Sequence, residues 1–184
     1  MKQTNNIDLN AMRNQAHKIA VSHGFHNEEK PDEHYLMMVI TETAEAIDAD
    51  RKGRHANIAR FDSEISETSS DDKFRELYTL CIKGTLEDEL SDIAIRLLDF
   101  YGLKRVNFAN IPLVSDEVAQ AVRNKPMTLF MYGLISAIMD MPTSPAPFTD
   151  LYTYAYTLGI NLYKFIQIKM RYNNMRPVRN GCKY

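Results

Sequence analysis

The sequence predicts an all-α fold. Apolar residues recur at helical spacing in segment after segment. No stretch carries strand alternation of comparable strength. Glycines and prolines fall mostly between the periodic segments, where they end helices. A chain of 184 residues with 45% hydrophobic content suits one domain, residues 1–184, with a sizeable core.

The elements follow in order. In "DLNAMRNQAHKIAVSHGF", Leu9, Met12, Ala16, Ile19 and Ala20 share a helical stripe, and Gly24 stops it. A second helix starts at Asp32 and runs through "EHYLMMVITETAEAIDADRKG" to Gly53. Its acidic start and its Arg51 and Lys52 end complement the helix dipole. Ile40, Ala44 and Ile47 form its expected apolar stripe. Residues 54–70 lack a steady period and read as a long loop, a flexible insertion. A third helix covers Asp71–Ile82, and Gly84 breaks the pattern. Thr85 caps the fourth, with Asp88 three residues on as an imperfect capping box. Its core stripe is Leu86, Leu90, Ile93, Leu97 and Phe100, and Gly102 ends it. "KRVNFANIPLV" is a connection. Helices follow from Ser115 to Lys125 and through "PMTLFMYGLISAIMD", then a linker, "MPTSPAPF". A final helix spans Thr149–Asn174 with Gly159 as a weak point, and residues 175–184 form a basic tail.

A formal charge of -2 and a pI near 6.2 give no global argument for nucleic-acid binding. Locally the picture differs. After Asp150 there is no Asp or Glu, but Lys164, Lys169, Arg171, Arg176, Arg179 and Lys183 all follow. Such an end suits phosphate, an acidic protein surface or nucleic acid. The cysteines, Cys81 and Cys182, form no close-spaced metal motif, which fits a reducing cytoplasmic compartment. No run reaches membrane-spanning length, and the start has no apolar signal segment, so a soluble protein is expected.

Two acidic pairs carry the chemistry. Glu42 and Glu45 stand three residues apart on one face of the second helix, beside apolar neighbours. Glu89 and Asp92 repeat the spacing beside the core stripe of the fourth. If the helices pack together, four carboxylates converge, and they repel unless a cation compensates them. Mg²⁺ fits, because it prefers oxygen ligands and bridges substrate phosphates. Glu87, Asp88 and Asp99 read as solvated faces or helix-start charge. Acids three apart are also common on exposed helices. A non-catalytic helical interaction protein is therefore the competing class.

"TETAE" followed by "ELSD" resembles the MazG-like all-α nucleoside triphosphate pyrophosphohydrolases, whose pattern is Glu-Glu-x-x-Glu and then Glu-x-x-Asp. Thr41 stands at the first Glu position; Glu42, Glu45, Glu89 and Asp92 match the rest. "DELSDIAIRLLDFYG" is similar to the family's metal-binding helix. The end, "KMRYNNMRPVRNGCKY", resembles a subgroup's K-x-x-x-N-x-x-R-P-x-x-H-G-K-K at Lys169, Asn173, Arg176, Pro177 and Gly181. Asn180 replaces the His and Cys182 a Lys. The likeness covers about residues 9–102 and, by motif, the C-terminal 20 residues.

The resemblance implies a helical bundle with a four-helix core and additional C-terminal helices. It implies cleavage between the α and β phosphates of a nucleotide, giving a monophosphate and pyrophosphate. Glu42, Glu45, Glu89 and Asp92 would hold Mg²⁺, which polarises phosphate and activates water; Glu45 is the choice for the base. Lys83, Lys169, Asn173 and Arg176 would bind substrate, Arg as a bidentate fork and Lys as a point charge. A homodimer or homotetramer is implied, with no membrane or nucleic-acid partner. Another phosphorylated nucleotide, such as a phosphoribosyl nucleotide, is the alternative substrate. His17, His23, His26 and His34 form no recognisable zinc motif. The Met-rich stretch and the tyrosines of the last helix read as packing or subunit interface.

Overall fold

The computed structural model describes residues 7–108 and 113–178. Arg179, Asn180, Gly181, Cys182 and Lys183 of the basic tail lie outside the described residues, as does part of the connection after Phe108. The described residues are helical, with no strand among them: α1 (Leu9–Ser22), α2 (Asp32–Arg51), α3 (Ile58–Glu64), α4 (Asp71–Cys81), α5 (Leu86–Leu103), α6 (Asp116–Val122), α7 (Met127–Asp140), α8 (Ala146–Thr157) and α9 (Leu162–Asn174). No helix among them is long and apolar enough to cross a membrane.

The helix starts follow from local chemistry. The side chains of Asp8, Asn57, Ser70, Thr85, Ser115 and Asn161 each accept an amide hydrogen bond from the first turn of α1, α3, α4, α5, α6 and α9. Each satisfies a donor that the helix cannot.

α5 is the centre, and α1, α2, α8 and α9 pack on it. Its predicted stripe, Leu86, Leu90, Ile93, Leu97 and Phe100, is buried throughout, with Leu98 and Tyr101 beside it. Each such side chain contributes about 1.5–3 kcal/mol by leaving water. α7 lies against α2 and α8, and Phe130 stacks on Tyr154 with ring centroids 3.9 Å apart. A second, smaller core gathers Phe61, Phe74, Leu77, Tyr78, Cys81 and Ile82 of the α3–α4 region around Phe165 of α9.

Three expectations need correction. Residues 54–70 are not loop throughout, because Ile58–Glu64 form α3, which Asn57 caps and Phe61 anchors in the smaller core. The buried face of α2 runs through Leu36, Val39, Thr43, Ala46 and Ala49, while Ala44 is exposed and Ile40 and Ile47 only half-buried. Thr43 tolerates burial because its hydroxyl donates to the Ile40 carbonyl at 2.6 Å. The final helix is two helices. Gly159 sits at φ 77°, a left-handed backbone that other residues rarely adopt, and Asn161 then opens α9.

Candidate functional site

One cavity of about 400 Å³ opens where α1, α2, α5 and α9 meet. Glu42, Glu45, Lys83, Glu89, Asp92, Lys169, Asn173 and Arg176, the residues selected from sequence, all line it. The packing of α2 on α5 brings the acidic pairs to face each other. Glu42, Glu89 and Asp92 each present a carboxylate oxygen within 4.8 Å of the others. Glu45 lines the same cavity but stands outside this trio, on the exposed side of α2. Lys83 is exposed in the turn before α5, and Arg176 is half-buried past the end of α9.

Two cations already pair with the acids. The Arg96 guanidinium donates from Nε to Glu42 Oε1 at 3.1 Å. Lys169, only 5% exposed, places Nζ 2.8 Å from Asp88 Oδ1 and 2.5 Å from Asp92 Oδ2. Asp88 also accepts from the Tyr78 hydroxyl, and from the Gly84 amide at 2.9 Å. Asp88 is therefore a buried junction of α4, α5 and α9, not the solvated charge expected of it. Glu87 is likewise buried, accepting from the Ala56 amide at 2.9 Å. Asp99 is buried between His17 and His26.

The electrostatics call for more positive charge. Glu42, Glu89, Asp88 and Asp92, when ionised, face only Arg96 and Lys169 as paired cations. Two negative charges are left over, the charge of one divalent ion. The proton affinities express the same deficit. Burial, then the Asp88 and Asp92 carboxylates, push the Glu89 carboxyl up to about 8. Burial also raises Glu42, against the pull of Arg96. Burial raises Asp92 too, opposed by the Lys169 ammonium. Burial works against the charge on Lys169, yet Asp92 and Asp88 hold its pKa well above the ordinary lysine value.

The donor set fits Mg²⁺. All three convergent ligands are carboxylate oxygens, and octahedral coordination at about 2.1 Å puts opposite ligands roughly 4.2 Å apart. The ligand atoms of the trio already lie within 4.8 Å of one another. Asn173 also lines the cavity, and its buried Oδ1 has no hydrogen-bond partner among the described residues.

Compared with protein-family models, with curated proteins and with solved structures, the chain gives no match in any of the three.

Arg96, Asp88 and Tyr78 belong to the site without being marked by the two acidic pairs or the basic end. A signal for Arg96 was present. Glu89, Asp92, Arg96 and Asp99 follow one another at spacings of three, four and three, which is a polar stripe beside the apolar face of the helix. Asp88 had no such signal, because its partners Tyr78 and Lys169 come from other helices. His23 holds the backbone at the rim of the cavity. Its Nδ1 lies 2.9 Å from the Ile19 carbonyl and its Nε2 3.1 Å from that of Arg176, so it ties the α9 exit to α1.

Proposed function

We propose that the protein is a Mg²⁺-dependent nucleoside triphosphate pyrophosphohydrolase of the MazG-like kind, acting in the cytoplasm as a homo-oligomer. It would cleave the α–β phosphoanhydride to release a nucleoside monophosphate and pyrophosphate. One observation carries this reading: three convergent carboxylates share a cavity of nucleotide-binding size with Lys83, Lys169 and Arg176.

Glu42, Glu89 and Asp92 would hold the ion. Mg²⁺ there supplies charge to phosphate oxygens and lowers the pKa of water. Glu45, which lines the cavity outside the trio, would accept the proton of the attacking water. Arg96 and Lys169 neutralise the acids in the resting site. With the acids neutralised by a bound cation, Arg96 would be free to meet phosphate as a fork and Lys169 as a point charge. Lys83 and Arg176 extend the positive wall, and the Asn173 amide offers a polar contact for sugar or phosphate.

The test is a nucleotide panel with Mg²⁺ in which products are resolved, run on the wild type, Glu42→Gln and Glu89→Gln. The expected result is monophosphate and pyrophosphate from the wild type and a loss of 100-fold or more in each variant, roughly the scale of removing one charge-stabilising group. Equal activity in all three proteins removes the site. Release of orthophosphate in place of pyrophosphate revises the reaction. No turnover and no Mg²⁺ binding favours a helical interaction protein.

A further inference from the structure

Away from the acidic trio, a second cluster forms where α1, the α1–α2 connection and α5 meet. His17 Nδ1 and His26 Nε2 each lie 2.8 Å from the same oxygen, Asp99 Oδ1. We propose that His17, His26 and Asp99 are a second metal site, built for a divalent transition ion, zinc foremost.

The donor chemistry separates it from the carboxylate centre. Two imidazole nitrogens and one carboxylate oxygen suit Zn²⁺, whereas Mg²⁺ prefers an all-oxygen shell. The three donor atoms lie within 4.8 Å of one another. Tetrahedral zinc, bound at about 2.0–2.1 Å, needs ligand separations of roughly 3.4 Å. Each imidazole–carboxylate contact therefore opens by about half an ångström as the ion enters. Three protein ligands leave the fourth position to water.

The surroundings support the His26 imidazole as a ligand. The Tyr35 hydroxyl lies 3.3 Å from His26 Nδ1, and the two rings are stacked with centroids 5.3 Å apart. In the metal-free hydrogen bond His26 carries its proton on Nε2 and accepts from Tyr35. With an ion on Nε2 the proton moves to Nδ1 and is donated to the same hydroxyl. That outer partner, on the nitrogen away from the metal, is what a ligating His requires. Close helix packing completes the cluster: a Cβ on Gly102 would sit 2.4 Å from the Cβ of His17, so only glycine lets α1 approach α5 here.

Position sets the role. Asp99 lies two helical turns beyond Asp92, roughly 10 Å along α5. Paired catalytic ions sit about 3.5–4 Å apart, so this ion does not share substrate oxygens with Mg²⁺. It pins the α1–α2 connection to α5 and thereby steadies Phe25, which lines the cavity and lies against Arg96, 5.7 Å from its guanidinium carbon.

The experiment measures zinc, not turnover, so its outcome is independent of the pyrophosphohydrolase reading. Full-length protein is dialysed against limiting Zn²⁺ with excess Mg²⁺, and bound zinc is counted. The expected result is one zinc per chain in the wild type and in Glu42→Gln, with loss in His17→Gln and His26→Gln. Tyr35→Phe should bind about tenfold more weakly. Zinc retained by both histidine variants, or lost in Glu42→Gln, overturns the proposal. As a check that needs no variant, ¹H–¹⁵N spectra of the wild-type imidazoles should show His17 Nδ1 and His26 Nε2 shifting on Zn²⁺ addition; unmoved nitrogens overturn it as well.

Discussion

Replacing Lys169 by Met tests the electrostatic account of the cavity. The side chain is 5% exposed, and its ammonium sits 2.8 Å from Asp88 and 2.5 Å from Asp92. Met keeps most of the volume and removes the charge. Asp88 retains the Tyr78 hydroxyl and the Gly84 amide, but Asp92 loses its hydrogen-bonding partner. Breaking a buried ion pair from one side costs about 3–5 kcal/mol. Against a total stability of about 5–15 kcal/mol that is a large loss, and for a chain of this length it lowers Tm by roughly 10 °C. Mg²⁺ should reverse much of it. A ligand at 100 times its Kd stabilises by about 2.7 kcal/mol, and in the variant no ammonium competes for Asp92. Calorimetric melts of both proteins in EDTA and in rising Mg²⁺ measure these effects. The reasoning fails if the variant melts within a degree or two of the wild type in EDTA. It also fails if Mg²⁺ raises both melting temperatures by the same amount.

Three further outcomes follow. The Glu89 carboxyl, raised from 4.5 to about 8, keeps a proton in the fold that the unfolded chain has already released; its stabilising contribution is full below the unfolded value and is lost as pH rises through the folded one. Mg²⁺ needs the ionised form, so its affinity should rise from about pH 6 to about pH 8.5, with protons released on binding; calorimetric titration in buffers of different ionisation enthalpy reads this directly, and pH-independent affinity refutes it. Gly102→Ala should destabilise by about 1–3 kcal/mol, because its methyl overlaps His17. Gly133→Ala, in α7 with nothing within 4 Å of the added carbon, should instead stabilise by about 0.5–1 kcal/mol; chemical denaturation of the pair checks the opposite signs.

The legible parts of this molecule are those encoded within single helices. The α5 stripe from Leu86 to Phe100 was readable because five apolar residues keep one period over four turns. Both acidic pairs were readable for the same reason, and the packing of α2 on α5 does the rest. What escaped depends on residues distant in sequence. Asp88 looked like helix-start charge, since Tyr78 and Lys169, which satisfy it, belong to α4 and α9. His17 and His26 showed no metal spacing, because their third partner is Asp99, 73 residues beyond His26. α3 has seven residues, too few to display a period, and Phe61 holds it through the smaller core. On α2, apolarity alone favoured Ala44 over Thr43, whose hydroxyl is satisfied within its own turn.

A core in two parts predicts two units that open separately. The smaller one, closed by Phe61, Phe74, Leu77 and Phe165, should exchange its amide hydrogens through openings that leave α5 protected. Cys81 is free and buried within it, so the rate of its own alkylation, read at that residue, becomes a built-in clock for those openings. Each opening also withdraws Tyr78 from Asp88. The polar floor beneath Lys169 is therefore only as persistent as this satellite unit, and ligands that tighten the floor should slow the clock.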